Sequence, residues 1–72
     1  MKPAKVITEV AGTVWKTVAQ KGAPVAAGDV ILIMESMKME IPIEAPRAGR
    51  LLEILVAEGD VLNEGDPVAV IE

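Results

Sequence analysis

The six glycines of this chain fall into three pairs with one common spacing: Gly12 with Gly49, Gly22 with Gly59 and Gly28 with Gly65, each 37 residues apart. No glycine is left over. The same offset matches Ala11 with Ala48, Asp29 with Asp66 and Glu35 with Glu72, and sets Val14 against Leu51, Val18 against Leu55, Val25 against Leu62, Ile31 against Val68 and Ile33 against Val70. The register runs without a gap from residue 11 to residue 35. Self-similarity at a fixed period means two copies of one supersecondary unit, and two half-cores this small must pack on each other to bury their apolar faces. One domain, residues 1–72, with an internal two-fold pseudosymmetry is the expectation. A chain of 72 residues buries only about 60% of its unfolded surface, and without cysteine no disulfide adds to that small core.

The hydrophobic half of the composition is Val, Ile, Leu and Ala with Trp15 as the lone aromatic residue, which favours strands over helices. No helical pattern of ten or more residues occurs. Lys5 to Val10 reads as a first strand, broken by Gly12. Thr13 to Ala19 alternates Val14, Lys16, Val18 against Trp15, Thr17, Ala19, the period of a half-buried strand. Lys21-Gly22-Ala23-Pro24 is a turn leading into a short piece around Val25. Val30 to Met34 is an apolar, β-branched run buried on both sides or nearly so. Met39 to Glu44 alternates again, with Met39, Ile41 and Ile43 inward; Pro42 cannot donate to a ladder and so marks an edge strand. Gly49 to Ala57 and Pro67 to Ile71 repeat the second and fourth strands. The glycines stand where a turn, a bulge or a close backbone approach is needed, and Asp29 and Asp66 read as turn-stabilising residues beside Gly28 and Gly65.

Several function classes drop out. With no histidine and no cysteine, a zinc or soft-metal site and Cys/His or Ser/His nucleophilic catalysis have no ligands or base within the chain. A net charge of −4, cations spread along the sequence and a single aromatic residue argue against nucleic-acid binding. No run approaches membrane-spanning length and no signal-peptide core follows Met1, so a cytoplasmic location without membrane insertion is expected. Glu9, Glu53, Glu58 and Glu64 read as solvated surface, and Trp15 as a core or half-exposed packing residue. What remains for chemistry is lysine.

The stretch Glu35-Ser36-Met37-Lys38-Met39-Glu40 lies between two strand-like runs, where the first copy ends. Three of the four methionines, Met34, Met37 and Met39, crowd within six residues. Flexible, polarizable thioethers suit an adaptable contact surface as well as a core gap. Lys38 thus stands at a hairpin tip, with Glu35 and Glu40 symmetric at its base. A solvated ammonium is deprotonated in only about one molecule in two thousand near neutral pH, and catalytic lysines are desolvated or set beside another cation. Such a residue is either an ordinary solvated lysine in an exposed turn or a substrate for another enzyme's chemistry. Its place at the hairpin joining two matched copies, between acidic residues and exposed methionines, favours the second.

The same residues, with Ile43-Glu44-Ala45-Pro46, Gly49, Gly59 and Gly65, resemble the biotinyl (biotin carboxyl carrier) domain family over nearly the whole chain. The resemblance implies an all-β fold, a flattened β-barrel or sandwich of two four-stranded antiparallel sheets, with Met37 and Lys38 at the corners of a type I′ turn. It implies that the domain is not itself an enzyme and has no catalytic residue. Biotin would be amide-linked to Lys38 by a biotin protein ligase that reads Glu35, Ser36, Met37, Met39 and Glu40. The tethered cofactor would shuttle a carboxyl group between a biotin carboxylase and a carboxyltransferase, as in acetyl-CoA carboxylase. The gapless register implies that the inserted thumb common in bacterial acetyl-CoA carboxylase members is absent, a departure from that subunit. Lipoyl carriers resemble Asp-Lys-Ala at the tip where this chain has Met-Lys-Met. A lipoyl carrier and an unmodified barrel serving as an interaction module are the other readings.

Overall fold

The 37-residue repeat becomes two sheets that each draw strands from both copies. The computed structural model describes residues 2–72 as eight strands: β1 (Ala4–Ile7), β2 (Gly12–Thr17), β3 (Pro24–Val25), β4 (Val30–Ser36), β5 (Met39–Glu44), β6 (Gly49–Ile54), β7 (Val61–Leu62) and β8 (Pro67–Ile71). One antiparallel sheet has the order β1-β8-β6-β3 and the other β5-β4-β2-β7. Exchanging the two copies by the offset turns the first order into the second: adding it takes β1 onto β5 and β3 onto β7, and subtracting it takes β8 onto β4 and β6 onto β2. Neither copy forms a sheet of its own, so neither half can bury its apolar face alone.

The core repeats the same rule. Among the described residues, all fourteen that are buried form offset pairs: Val6 with Ile43, Thr8 with Ala45, Val14 with Leu51, Val25 with Leu62, Ile31 with Val68, Leu32 with Ala69, and Met34 with Ile71. At about 25 cal/mol per Å² of apolar surface removed from water, this shared core is the main favourable contribution to folding.

The strands differ in detail from the sequence-based expectation. The first ends at Ile7 instead of Val10, because Thr8 turns inward and its hydroxyl donates to the Val10 carbonyl oxygen at 2.8 Å. Gly12 opens β2 and does not merely break the chain before it. The second and sixth strands stop at Thr17 and Ile54, ahead of Ala19 and Ala57, and the two-residue β7 had been legible only as the offset of Val25 onto Leu62. The run Val30 to Met34 is not buried evenly on both faces. A register shift between Val30 and Leu32 leaves Ile31 as an extra residue, so Ile31 and Leu32 both point inward while Val30 and Ile33 are half-buried; inserting one residue in this way re-aims a side chain. Val68 and Ala69 repeat the arrangement in β8.

Turns follow the expected chemistry. Gly28 and Gly65 hold φ of 91° and 92°, a conformation costly for any side chain. The Asp29 and Asp66 carboxylates accept from the Ala26 and Asn63 backbone N–H at 2.9 and 2.8 Å. Pro42 is exposed on β5, an edge strand.

Candidate functional site

The β4-β5 hairpin brings the six residues from Glu35 to Glu40 together in one turn. Ser36 pairs with Met39 and Glu35 with Glu40, leaving Met37 and Lys38 as a two-residue loop. Their φ values are 53° and 65°, the only positive ones on non-glycine residues among those described. Positive φ at both central positions is the mark of a type I′ turn, whose twist matches that of the strands it joins. Asn-Gly is the usual occupant, so a methionine and a lysine hold this geometry at a cost of about 1–3 kcal/mol each. Strain of that size persists only where the surroundings fix it, and here the six-residue ladder below the turn does so.

Burial falls steadily along β5 toward the tip. Ile43 is buried, Ile41 half-buried and Met39 64% exposed. The expectation that Met39 packs inward is therefore corrected: it lies on the same face as Ile41 and Ile43, but the hairpin has by then run past the core. Met37 is 91% exposed, and Lys38, Glu35 and Glu40 are exposed with it; Ser36 is half-buried. The residues expected to be read by a partner thus form one open surface around the lysine.

Electrostatics at the tip are lopsided. Glu35 and Glu40 stand directly opposite across the ladder, a like-charge pairing that disfavours the hairpin. Among the described residues Lys38 makes no ion pair; the one present joins Lys21 to Glu53 at 3.0 Å. Its amine is free to react. Two grooves of about 400 Å³ each lie elsewhere, one along the seam between edge strands β1 and β5 and one beside β3, and neither includes a residue from Glu35 to Glu40. Neither groove reaches the lysine, which stands exposed at the end of the hairpin.

The remaining expectations resolve simply. Trp15 is 48% exposed at a register shift between Val14 and Lys16. Glu9, Glu53, Glu58 and Glu64 are exposed, and Glu58 accepts from the Thr17 backbone N–H at 3.2 Å. The sequence reading leaves Gly12 as a turn, bulge or close-approach position, and the structure shows the last; what it approaches is the part sequence reasoning missed. A Cβ there would run into the Glu35 backbone carbonyl oxygen and lie 3.2 Å from the Ser36 Cβ, at the foot of the lysine hairpin. A glycine opening an otherwise alternating strand is the signal that could have found it.

Comparison with known proteins agrees with this geometry. The family model described as biotin-requiring enzyme matches residues 1–71. A biotin/lipoyl attachment protein of Bacillus subtilis (strain 168) is 47% identical over 58 residues, covering 81% of this chain and 80% of that protein. Urea amidolyase of Saccharomyces cerevisiae is 43% identical over 67 residues, covering 93% of this chain; the chain spans only 4% of that much longer protein. The crystal structure of Kluyveromyces lactis urea carboxylase superposes with a TM-score of 0.95 at 39% identity, over 100% of this chain and 6% of that one.

Proposed function

This chain belongs to the biotin-requiring, biotin/lipoyl attachment family, and on that premise we propose that Lys38 is the residue to which a biotin protein ligase joins biotin. The domain is a biotin carrier of the kind found within biotin-dependent carboxylases, and it carries the group instead of catalysing its reactions. The observation that supports Lys38 most is its exposure on a strained two-residue turn that overhangs the core. An amide link needs a primary amine out in solvent and unpaired, and the tip fits that requirement.

Lys38 would hold the group as an amide: its deprotonated Nζ would bond to the vitamin's carboxyl carbon, activated by the ligase with ATP, with the activating phosphate group departing and a proton of the amine passing to solvent. When bound, biotin supplies a ureido nitrogen that accepts a carboxyl group at one enzyme site and yields it at another. The chain's own contribution is placement. The four-carbon stem of Lys38 gives reach, and the β4-β5 ladder keeps the tip from folding back onto the barrel. Tethering replaces free diffusion by an effective concentration in about the millimolar range at each site.

The partners that follow are a ligase, a biotin carboxylase and a carboxyltransferase, with an acyl-CoA such as acetyl-CoA, or urea, among the acceptors this carrier could serve. Glu35, Ser36, Met37, Met39 and Glu40 form the surface the ligase reads. Co-expression with a biotin ligase in biotin-supplied cells, followed by intact mass measurement, tests the proposal. A gain of one biotinyl group is expected. A lipoyl group would make the chain a lipoyl carrier, and no gain would make it an unmodified interaction module.

A further inference from the structure

The pseudosymmetry supplies a matched pair of glycines that share one backbone restraint and differ in what lies around it. Gly12 and Gly49 are the first residues of β2 and β6, related by the 37-residue offset. Neither has the positive φ that would reserve the position for glycine on conformational grounds. Each is instead kept small by backbone from a neighbouring strand. A Cβ on Gly12 would collide with the carbonyl oxygen of Glu35, and one on Gly49 with the carbonyl oxygen of Glu72. Glu35 is itself the offset partner of Glu72. The two backbone collisions are copies of one another; a Cβ on Gly49 would in addition lie 2.9 Å from Cγ2 of the buried Ile71.

What lies beyond them is different. Past Glu35 come Ser36, Met37 and Lys38, with Met39 and Glu40 returning down β5. Glu72 instead follows β8, in the other sheet from the Lys38 hairpin. The tip makes no packing contact that could fix it from above, since Met37 is 91% and Met39 64% exposed. Its position is set from below, by the base of the ladder. Gly12 is where the neighbouring strand presses closest on that base. The obstacle there is backbone, which cannot swing aside as a side chain can. An alanine at residue 12 must therefore displace Glu35 and Ser36, and the displacement passes directly into the turn.

We propose that Gly12 is a positioning residue for ligation at Lys38: by allowing β2 to close against Glu35 and Ser36, it sets the height and tilt at which the lysine is offered to the ligase. The inference rests on the reading of Lys38 as the acceptor. Gly49, under a like backbone restraint at the symmetry-equivalent place and pressed by the Ile71 side chain besides, has no share in it.

The test uses the full chain as wild type, Gly12→Ala and Gly49→Ala, with purified biotin ligase, ATP and biotin, at a temperature where circular dichroism shows each variant folded. Both substitutions are expected to lower the unfolding midpoint. Only Gly12→Ala is expected to lower kcat/KM for ligation, by about tenfold to a hundredfold, the range that a displacement of about 1 Å imposes on a positioned reacting group. Acetylation of Lys38 by a small activated ester, which needs exposure but no alignment, should proceed equally in all three. Equal ligation of Gly12→Ala and Gly49→Ala would overturn the proposal, and so would an equal loss in both. A Gly12→Ala chain that does not fold would also overturn it, because the residue would then serve the core. A wild-type chain left unlabelled would instead refute the acceptor reading itself.

Discussion

Thr8 and Ala45 hold the same place in the two halves of the barrel. The Thr8 N–H donates to the Asp66 carbonyl oxygen at 3.0 Å and the Ala45 N–H to that of Asp29 at 2.8 Å; their own carbonyls accept from Gly65 and Gly28 at 2.8 and 2.9 Å. Both side chains are buried, and only Thr8 brings a hydroxyl. That hydroxyl donates to the Val10 carbonyl oxygen and accepts from the Val10 N–H, closing a turn that Ala45 does without. Thr8→Ala should therefore cost about 1 kcal/mol, the usual net worth of such a bond. Urea unfolding measures it, and an unchanged midpoint would mean the turn is held by the backbone alone.

Met34 and Met37, three residues apart, should respond oppositely to truncation. Met34 is fully buried and Met37 almost fully exposed. Met34→Ala is expected to cost about 2–5 kcal/mol, a large part of the roughly 4–11 kcal/mol available to a chain of this length. Met37→Ala should change stability by less than about 0.5 kcal/mol. Paired denaturant titrations decide it.

The turn itself makes a third prediction. Asparagine tolerates the left-handed region better than an unbranched apolar side chain does, so Met37→Asn should raise stability by about 0.5–1 kcal/mol through relief of strain. On the proposal that the ligase reads the tip, the same variant should be ligated more slowly, because a thioether is lost from that surface. A variant both more stable and equally well labelled would separate the strain from any role in recognition.

Much of this was legible before any coordinates, and the reason is particular. Gly28 and Gly65 are needed for the same backbone conformation, and Val14 and Leu51 for the same core position, so a duplicated fold leaves its period in the sequence. The lysine hairpin was legible because it falls where the first copy ends. Strand ends were not: whether the first strand reaches Val10 depends on the hydrogen bonds of one buried threonine. Met39 was legible only in part: its place beside Lys38 made it exposed and strand alternation set it inward, since alternation tells which face a residue takes but not how far the opposing sheet extends. What Gly12 approaches was not legible, because its constraint comes from Glu35, 23 residues away, and spacing along a strand does not report contact across one.

Recognition by thioether contact predicts a loss when both are removed. Replacing Met37 by Asp and Met39 by Ala moves the tip toward the lipoyl pattern while leaving Lys38, Glu35 and Glu40 in place. Biotin ligation of this double variant should fall by at least about tenfold, as expected when two exposed anchor contacts of about 1 kcal/mol or more are lost together. Steady-state labelling with radiolabelled biotin measures it, and an undiminished rate would show that the methionines are not read.

The chain has five lysines, Lys2, Lys5, Lys16, Lys21 and Lys38, and the account turns on one of them. Peptide mapping by tandem mass spectrometry after reaction with ligase, ATP and biotin puts all five in competition within the folded domain. The label is expected on Lys38 alone, with none on the Lys38→Arg chain, whose guanidinium stays protonated and is not a usable nucleophile. Label on any other lysine, or an unmodified Lys38 beside an active ligase, would contradict the claim that this barrel exists to display that amine.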